Sequence, residues 1–335
     1  MKFSLFVHME RSDLVKPHSE LLRELGELVL LAEEAGFETA WIGEHHGMEF
    51  TISPNPFINI ALGTGTIIAP FWHPIKLAGE AAMTDVIAGG RLDIGIARGA
   101  YSYEYQRVFP GLDAWGAGQR MREIIPAIRG LWDGDYEHCG EFWQFPPTTS
   151  SPKPLQKPYP PIWVAARDPN SHDFAVANGC KVQVTPLASG DDEVASLMQR
   201  FNDACAAHPE IPRPEIMLLM HTFVAEDAAD ADRLSQDLSN FYCQFGAWFQ
   251  NKKPVHQGIL EPLSAEEIAA MPQYAPDKMR QNLVIGEAHE VVARLKAYET
   301  LGFDQYSIWI DSGLSHERKK KSLQLFIDRV MPAFI

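Results

Sequence analysis

The sequence predicts a single α/β domain folded as a (β/α)8 TIM barrel. Three observations predict it. Strand and helix patterns alternate almost from end to end. The strand patterns are mostly apolar runs, as in parallel strands buried on both faces. Eight such units fit within 335 residues, a length one closed barrel reaches. A doubly wound open sheet is the alternative, and eight consecutive units at this length favour closure.

The elements follow in order. Residues 2–9 read as the first strand. Ser19 is an N-cap candidate for a helix reaching Ala35, with Leu21, Leu25, Leu28 and Ala32 on one stripe, Leu22 and Val29 beside it, and Gly36 as its stop. Residues 38–44 and 64–69 are the second and third strands, and 75–88 a helix. Strand four is 91–97, with a helix near 118–132. Strand five is 162–166, followed by a helix near 171–178. Strand six is 182–185, followed by a helix at 193–207. Strand seven is 215–225, with a helix from 228 into the Phe241 region. A helix at 287–298 precedes strand eight at 305–310, and a last helix covers 315–330. Two stretches exceed ordinary loop length. Residues 136–160 carry Phe142, Trp143 and Phe145 and then a run of prolines, which reads as a hairpin and an extended connector. Residues 246–282 are polar and proline-punctuated, with a weak helical piece near 264–270. Long excursions on a compact barrel are typically lids or binding loops.

Composition excludes several function classes. The chain is 46% hydrophobic and 22% charged, and 29 Lys+Arg against 44 Asp+Glu give a formal charge of −15. Such a chain repels nucleic-acid phosphates and anionic membranes. The first apolar stretch, 3–9, is interrupted by His8 and followed by Glu10 and Arg11. It is too short for a signal peptide, and no later run reaches the ~20 apolar residues of a spanning helix. Cys139, Cys180, Cys205 and Cys243 form no CxxC motif, so free thiols and a cytoplasmic location are expected.

Chemistry in a barrel sits where strands end. Those ends carry His8 and Glu10; Glu44, His45 and His46; Pro70, Phe71, Trp72 and His73; Arg98, Gly99 and Tyr101; Arg167, Asp168, Asn170 and Ser171; His221; and Asp311. His8, His45, His221 and Asp311 are metal-ligand types. Spacing argues against a metal: adjacent His45 and His46 face opposite ways in an extended segment, and strand five offers no His or Lys. An anion site is a second reading. Arg98 lies between glycines after a buried strand, Arg120 lies near the start of the next helix, and 168–171 open a helix whose N–H groups favour phosphate. Ordinary ion pairs are the alternative for both arginines. Phe6, Trp41, Phe71, Trp72, Tyr101 and Trp115 wall a pocket for a flat ring, or fill the core. No GxGxxG follows a strand, and no P-loop occurs.

The order and spacing of several motifs resemble the bacterial luciferase-like flavin-dependent monooxygenase family nearly end to end. They are AEEAGFETAWIGEHH (32–46), PNP (54–56), LGTG (62–65), His73-Pro74, GGRLDIGIARG (89–99), 161–166 and VMPAF (330–334). The resemblance implies one luciferase-like barrel domain over 1–335 with FMN at its C-terminal face. It implies His45 beside the isoalloxazine as a catalytic residue, with Glu44 in the same run. It implies Arg98 and Arg120 on the FMN phosphate, further phosphate contacts from Asn170 and Ser171, and Thr66 and Ile67 of the strand-three end against the ring. The implied activity uses reduced FMN and molecular oxygen to oxygenate a small organic substrate via a peroxyflavin. An NAD(P)H-dependent flavin reductase would supply the flavin, a homodimer is expected, and 246–282 would be the lid. The rivals are deazaflavin- or flavin-dependent hydride transfer on the same fold, a metal-dependent hydrolase barrel, and flavin binding without turnover. Three departures stand out. Ala97 replaces a reactive Cys. Asp168 falls where a small donor often meets phosphate, so it is expected to point away or pair with Arg167. Between Ile58 and Leu62 the chain lacks about ten residues, shortening a second helix that usually runs ~3 turns and often packs in the family's dimer interface.

Overall fold

The computed structural model describes residues 1–58, 63–251 and 253–334. Eight parallel strands close into a barrel: β1 (Lys2–Val7), β2 (Thr39–Ile42), β3 (Gly63–Ile68), β4 (Asp93–Ala97), β5 (Ile162–Ala165), β6 (Lys181–Val184), β7 (Ile216–Ala225) and β8 (Gln305–Trp309). Each pairs with the next, and β8 closes on β1 with Lys2 opposite Gln305 and Phe6 opposite Trp309. β7 is ten residues long, and its second half pairs with an added parallel strand, Val284–Glu287. Sequence reading gave no strand there, because four residues containing Gly286 carry almost no periodic signal.

The helices are α1 (His18–Glu34), α2 (Pro74–Ile87), α3 (Ser102–Val108), α4 (Ala114–Asp133), α5 (Pro169–Ala177), α6 (Asp191–Ala207), α7 (Ala228–Gln250), α8 (Ala265–Ala269), α9 (Pro276–Asn282), α10 (Ala288–Leu301) and α11 (His316–Arg329). The expected α1 stripe of Leu21, Leu25, Leu28 and Ala32 is buried, and Gly36 follows with φ +85°. Pro17, not Ser19, stands at its N-cap, and it supplies no side-chain cap. α4 begins four residues before the expected start, where the Asp113 carboxylate caps Gly116. α3 is a short helix that sequence reading did not place.

Residues 136–160 form the expected hairpin, Tyr136–Cys139 against Gln144–Thr148. The following connector is pinned by Asp85, which is fully buried and accepts from Gln156 N at 2.9 Å and Gln156 Nε2 at 2.8 Å. The second excursion opens later than 246, because α7 runs through Phe245, Ala247 and Trp248, all buried. It holds a two-residue hairpin (Val255–His256 with Ile259–Leu260), then α8 with a Ser264/Glu267 capping box, then α9. Between β2 and β3 the described residues form one 3-10 turn, Pro56–Ile58. The shortening expected between Ile58 and Leu62 falls on residues 59–62, outside the described residues.

Glycines let large side chains fill the barrel. A Cβ on Gly63 would lie 2.5 Å from the Trp41 ring, and one on Gly95 2.0 Å from the Thr64 carbonyl. Trp41 can therefore meet Trp163 edge-on at 5.5 Å in the centre of the core.

Candidate active site

The C-terminal ends of the strands bring together three neighbouring features. The first is polar. His45, just past β2, lies with Nε2 3.0 Å from His8 Nε2 and Nδ1 3.3 Å from Glu104 Oε2. Register prepares the first contact: β1 and β2 pair Val7 with Ile42, which sets His8 opposite Gly43, two residues before His45. His8 Nδ1 in turn faces Glu10 Oε1 at 3.0 Å. Glu104 comes from α3 and also accepts the His46 amide at 2.7 Å.

Glu44 is buried, and both its oxygens are occupied. It accepts from Ile68 N at 2.8 Å, from Trp72 Nε1 at 2.9 and 3.1 Å, and faces His46 Nε2 at 2.7 Å. Its carboxylate thus fixes the end of β3, and its hydrogen bond raises the His46 pKa against burial. Thr66 is half-buried at that strand end, where the register shifts and the Gly65–Thr66 peptide is cis. Ile67 is fully buried and belongs to the hydrophobic core.

The second feature is a cationic hollow between the ends of β4 and β5. Arg98, Arg122, Arg167, Asn170 and Ser171 line it, with Trp115 on its rim. Arg98 Nη1 donates to Ala114 O at 2.9 Å, and Arg122 Nη2 to Asn170 O at 3.3 Å. Helix α5 starts here and adds the positive end of its dipole. Arg120, expected beside Arg98, does not line this hollow. Its guanidinium lies over the rings of Phe109 at 4.4 Å, Phe142 at 4.5 Å and Trp143 at 5.6 Å, under the hairpin. Two residues on a helix differ by about 200°, so Arg120 and Arg122 point to opposite sides of α4. Gly118 and Arg122, four apart, share the face toward Arg98; that spacing was readable. Asp168 neither points away nor pairs with Arg167. It caps α5, accepting from Ser171 N at 3.0 Å. Against burial, that bond and the charge of Arg98 hold its pKa down. Ser171 Oγ donates to Asp168 O at 2.8 Å and accepts from Arg167 N at 3.1 Å, so its hydroxyl shapes the turn.

The third feature is an aromatic wall that sequence reading largely missed. Phe241, Phe245 and Trp248 of α7 sit at helical spacing and pack with Phe50 at 5.8 to 6.1 Å. Tyr101 joins them, 5.2 Å from the His45 ring and 5.7 Å from Phe249. The i, i+4, i+7 pattern was visible, but it was cut by ending the helix near Phe241. Of the aromatics expected to wall a pocket, Phe6 and Trp41 lie in the core, and Trp72 serves Glu44. Phe71 packs on His46 at 5.6 Å, and Trp115 is 73% exposed.

His221 and Asp311 are committed elsewhere. His221 stacks on Trp309 at 4.1 Å, its ring nitrogens meet Tyr242 Oη and Asp311 O, and burial pushes its pKa down to about 3. The Asp311 carboxylate accepts from His8 N, Met9 N and Lys319 Nζ. Among the described residues no group of three or more His, Cys, Asp or Glu side chains is placed to hold a metal ion.

The barrel mouth thus joins a triple-arginine hollow, an aromatic wall and a hydrogen-bonded histidine. The luciferase-like monooxygenase family model matches residues 1–305, and the chain belongs to that family. It is 62% identical over 344 aligned residues to the oxygenase component of flavin-dependent trigonelline monooxygenase from Acinetobacter baylyi (strain ATCC 33305 / BD413 / ADP1), covering 100% of this chain and 96% of that protein. The structure of monooxygenase RslO1 from Streptomyces bottropensis superposes with a TM-score of 0.79 at 25% identity, covering both chains fully. The oxygenating constituent of 3,6-diketocamphane monooxygenase from Pseudomonas putida, solved with FMN, shares the fold at TM-score 0.75 and 18% identity, covering 99% of this chain and 98% of that one.

Proposed function

We propose that this chain is the oxygenase component of a two-component flavin-dependent monooxygenase. It uses reduced FMN and oxygen to oxygenate an N-methylpyridinium carboxylate of the trigonelline type. The observation that carries this reading is end-to-end identity of 62% with a trigonelline monooxygenase oxygenase component. The geometry supports it. Arg98, Arg122 and Arg167 with the α5 N-terminus fit a phosphate dianion, each guanidinium offering several N–H donors. Beside them, Arg167 and Lys278 share a second hollow with Tyr242, Phe245, Phe249 and Tyr274. Aromatic faces suit a pyridinium cation, and the two basic groups suit its carboxylate.

When bound, FMN would supply the electrons and the carbon framework on which oxygen is activated. The chain's own residues do the rest. The arginines orient the phosphate, and the aromatic wall excludes water. His45 holds or releases a proton at its ring nitrogens. Glu44 acts as a positioning residue that fixes the β3 end, where Thr66 and Ile67 lie. The partner is an NAD(P)H-dependent flavin reductase. A homodimer is supported by exposed Met83, Val86 and Ile87 on α2, beside exposed Ile58. Four free cysteines, two of them buried, support a reducing cytoplasm. No helix among the described residues is long and apolar enough to cross a membrane.

Reduced FMN mixed with trigonelline and oxygenated buffer should yield an oxygen-bearing product by mass spectrometry. Hydride transfer with a reduced deazaflavin, and no product with FMN, would replace this reading by its main rival. The hollow is tested separately. Arg98→Ala and Arg122→Ala should each weaken FMN binding by about tenfold or more, from about 1.5–3 kcal/mol per charged hydrogen bond. Arg120→Ala should leave FMN titrations unchanged and loosen the hairpin instead.

A further inference from the structure

Four titratable side chains form one hydrogen-bonded file with a buried carboxylate at each end. In order they are Glu10 Oε1, His8 Nδ1 and Nε2, His45 Nε2 and Nδ1, and Glu104 Oε2, with gaps of 3.0, 3.0 and 3.3 Å. The Glu10 side chain has no exposure, Glu104 has 1% and His8 5%, whereas His45 keeps 14%. Nothing in the proposed oxygenation yet uses Glu10 or His8.

An imidazole–imidazole contact requires one nitrogen to donate and the other to accept. Only two arrangements of neutral rings satisfy the whole file. In one, Glu10 is protonated and donates to His8 Nδ1, His8 Nε2–H donates to His45 Nε2, and His45 Nδ1–H donates to Glu104. In the other, every proton has moved one link and Glu104 is the acid. The surroundings favour the first at rest. Burial, then the Asp311 charge, push the Glu10 carboxyl well above the usual range, with Lys319 and Trp309 opposing. Burial, then His45 and His221, hold His8 well below its usual value. Thr51 Oγ1, 3.4 Å from His8 Nδ1, is the one other side-chain polar contact on that ring among the described residues.

We propose that Glu10 and His8 are positioning residues that set the His45 tautomer and pass a proton through it to Glu104 along this file. In one traverse the Glu10 O–H bond breaks as His8 Nδ1–H forms. His8 Nε2–H breaks as His45 Nε2–H forms. His45 Nδ1–H breaks as Glu104 O–H forms. One carboxylate replaces the other, total charge is unchanged, and no electron moves. His45 thereby passes a proton without becoming an imidazolium in a mouth built to exclude water. The proposal rests on the reading that His45 handles a proton during oxygenation.

Glu10→Gln keeps a donor toward His8 Nδ1 but has no proton to give. It should bind FMN normally and slow single-turnover oxygenation by about tenfold, less than the ~10²-fold of a direct acid–base group. The solvent deuterium proton inventory, curved in the native enzyme, should become linear. A native rate with an unchanged inventory would overturn the proposal, as would loss of FMN binding, which marks a structural role. His45→Ala run in parallel separates the two layers. Normal oxygenation by His45→Ala removes the parent reading, whereas a slow His45→Ala with a native Glu10→Gln removes only the file. Nitrogen-15 histidine spectra of the native protein give a check that needs no variant. His8 should carry its proton on Nε2 and His45 on Nδ1; the opposite tautomers overturn the proposal.

Discussion

His45→Ala should bind FMN with native affinity and lose oxygenation by on the order of 10²-fold or more, the range of a removed general acid–base group. The two effects separate because the site is divided. The His45 ring touches His8, Glu104 and Tyr101. The residues lining the cationic hollow come from the ends of β4 and β5 and from α4 and α5, and His45 is not among them. Folding should survive, since the ring is partly exposed and Glu104 keeps the His46 amide. The check is a single-turnover assay with reduced FMN, reading product by mass spectrometry and peroxide as the uncoupled outcome. Native product yield would end the assignment of a proton-handling role to His45.

Lys319→Met should destabilise the fold by about 3–5 kcal/mol, the usual effect of stripping one partner from a buried ion pair. Lys319 Nζ is 2.6 Å from Asp311 Oδ1, and the two side chains are 7% and 0% exposed. Asp311 also holds the amides of His8 and Met9 at 2.7 and 3.0 Å. The pair therefore ties the end of β8 and the start of α11 to the end of β1, where the polar file begins. Burial works against the Lys319 ammonium, but the Asp311 charge and hydrogen bond outweigh it and raise its pKa. The stabilisation is thus complete at neutral pH and is lost only as pH climbs past the ordinary lysine range. Urea unfolding measures the effect. Adding Asp311→Asn to Lys319→Met should restore part of the loss by removing the uncompensated charge. A change under about 1 kcal/mol in the single variant would show that the pair is not what holds this corner.

Much of the barrel was legible because its strands are buried on both faces. Runs such as Ile162–Ala165 or Ile216–Ala225 read as strands from side chains alone. The helices between them carry their own stops, as Gly36 does. The added strand Val284–Glu287 was not legible: it exists because β7 overruns β8 and leaves its second half unpaired. Arg98 was legible from its place after β4. Arg120 and Arg122 are equivalent as letters, and what separates them is the phase of α4 together with the Phe109, Phe142 and Trp143 rings that claim one guanidinium. The aromatic wall was half legible, its periodicity present and its helix ended too soon.

By itself, then, the sequence determined the barrel, the family and the strand ends at which chemistry gathers. Those follow from local pattern and from ordered motifs, which need no knowledge of distant contacts. Tertiary structure alone decided which residues share the site. Glu10, His8, His45 and Glu104 come from the ends of β1 and β2 and from α3, and only strand register and the fold of α3 bring them within hydrogen-bond reach. The −15 charge says nothing of the cationic hollow, because a net charge is a sum and a binding site depends on where the charges converge.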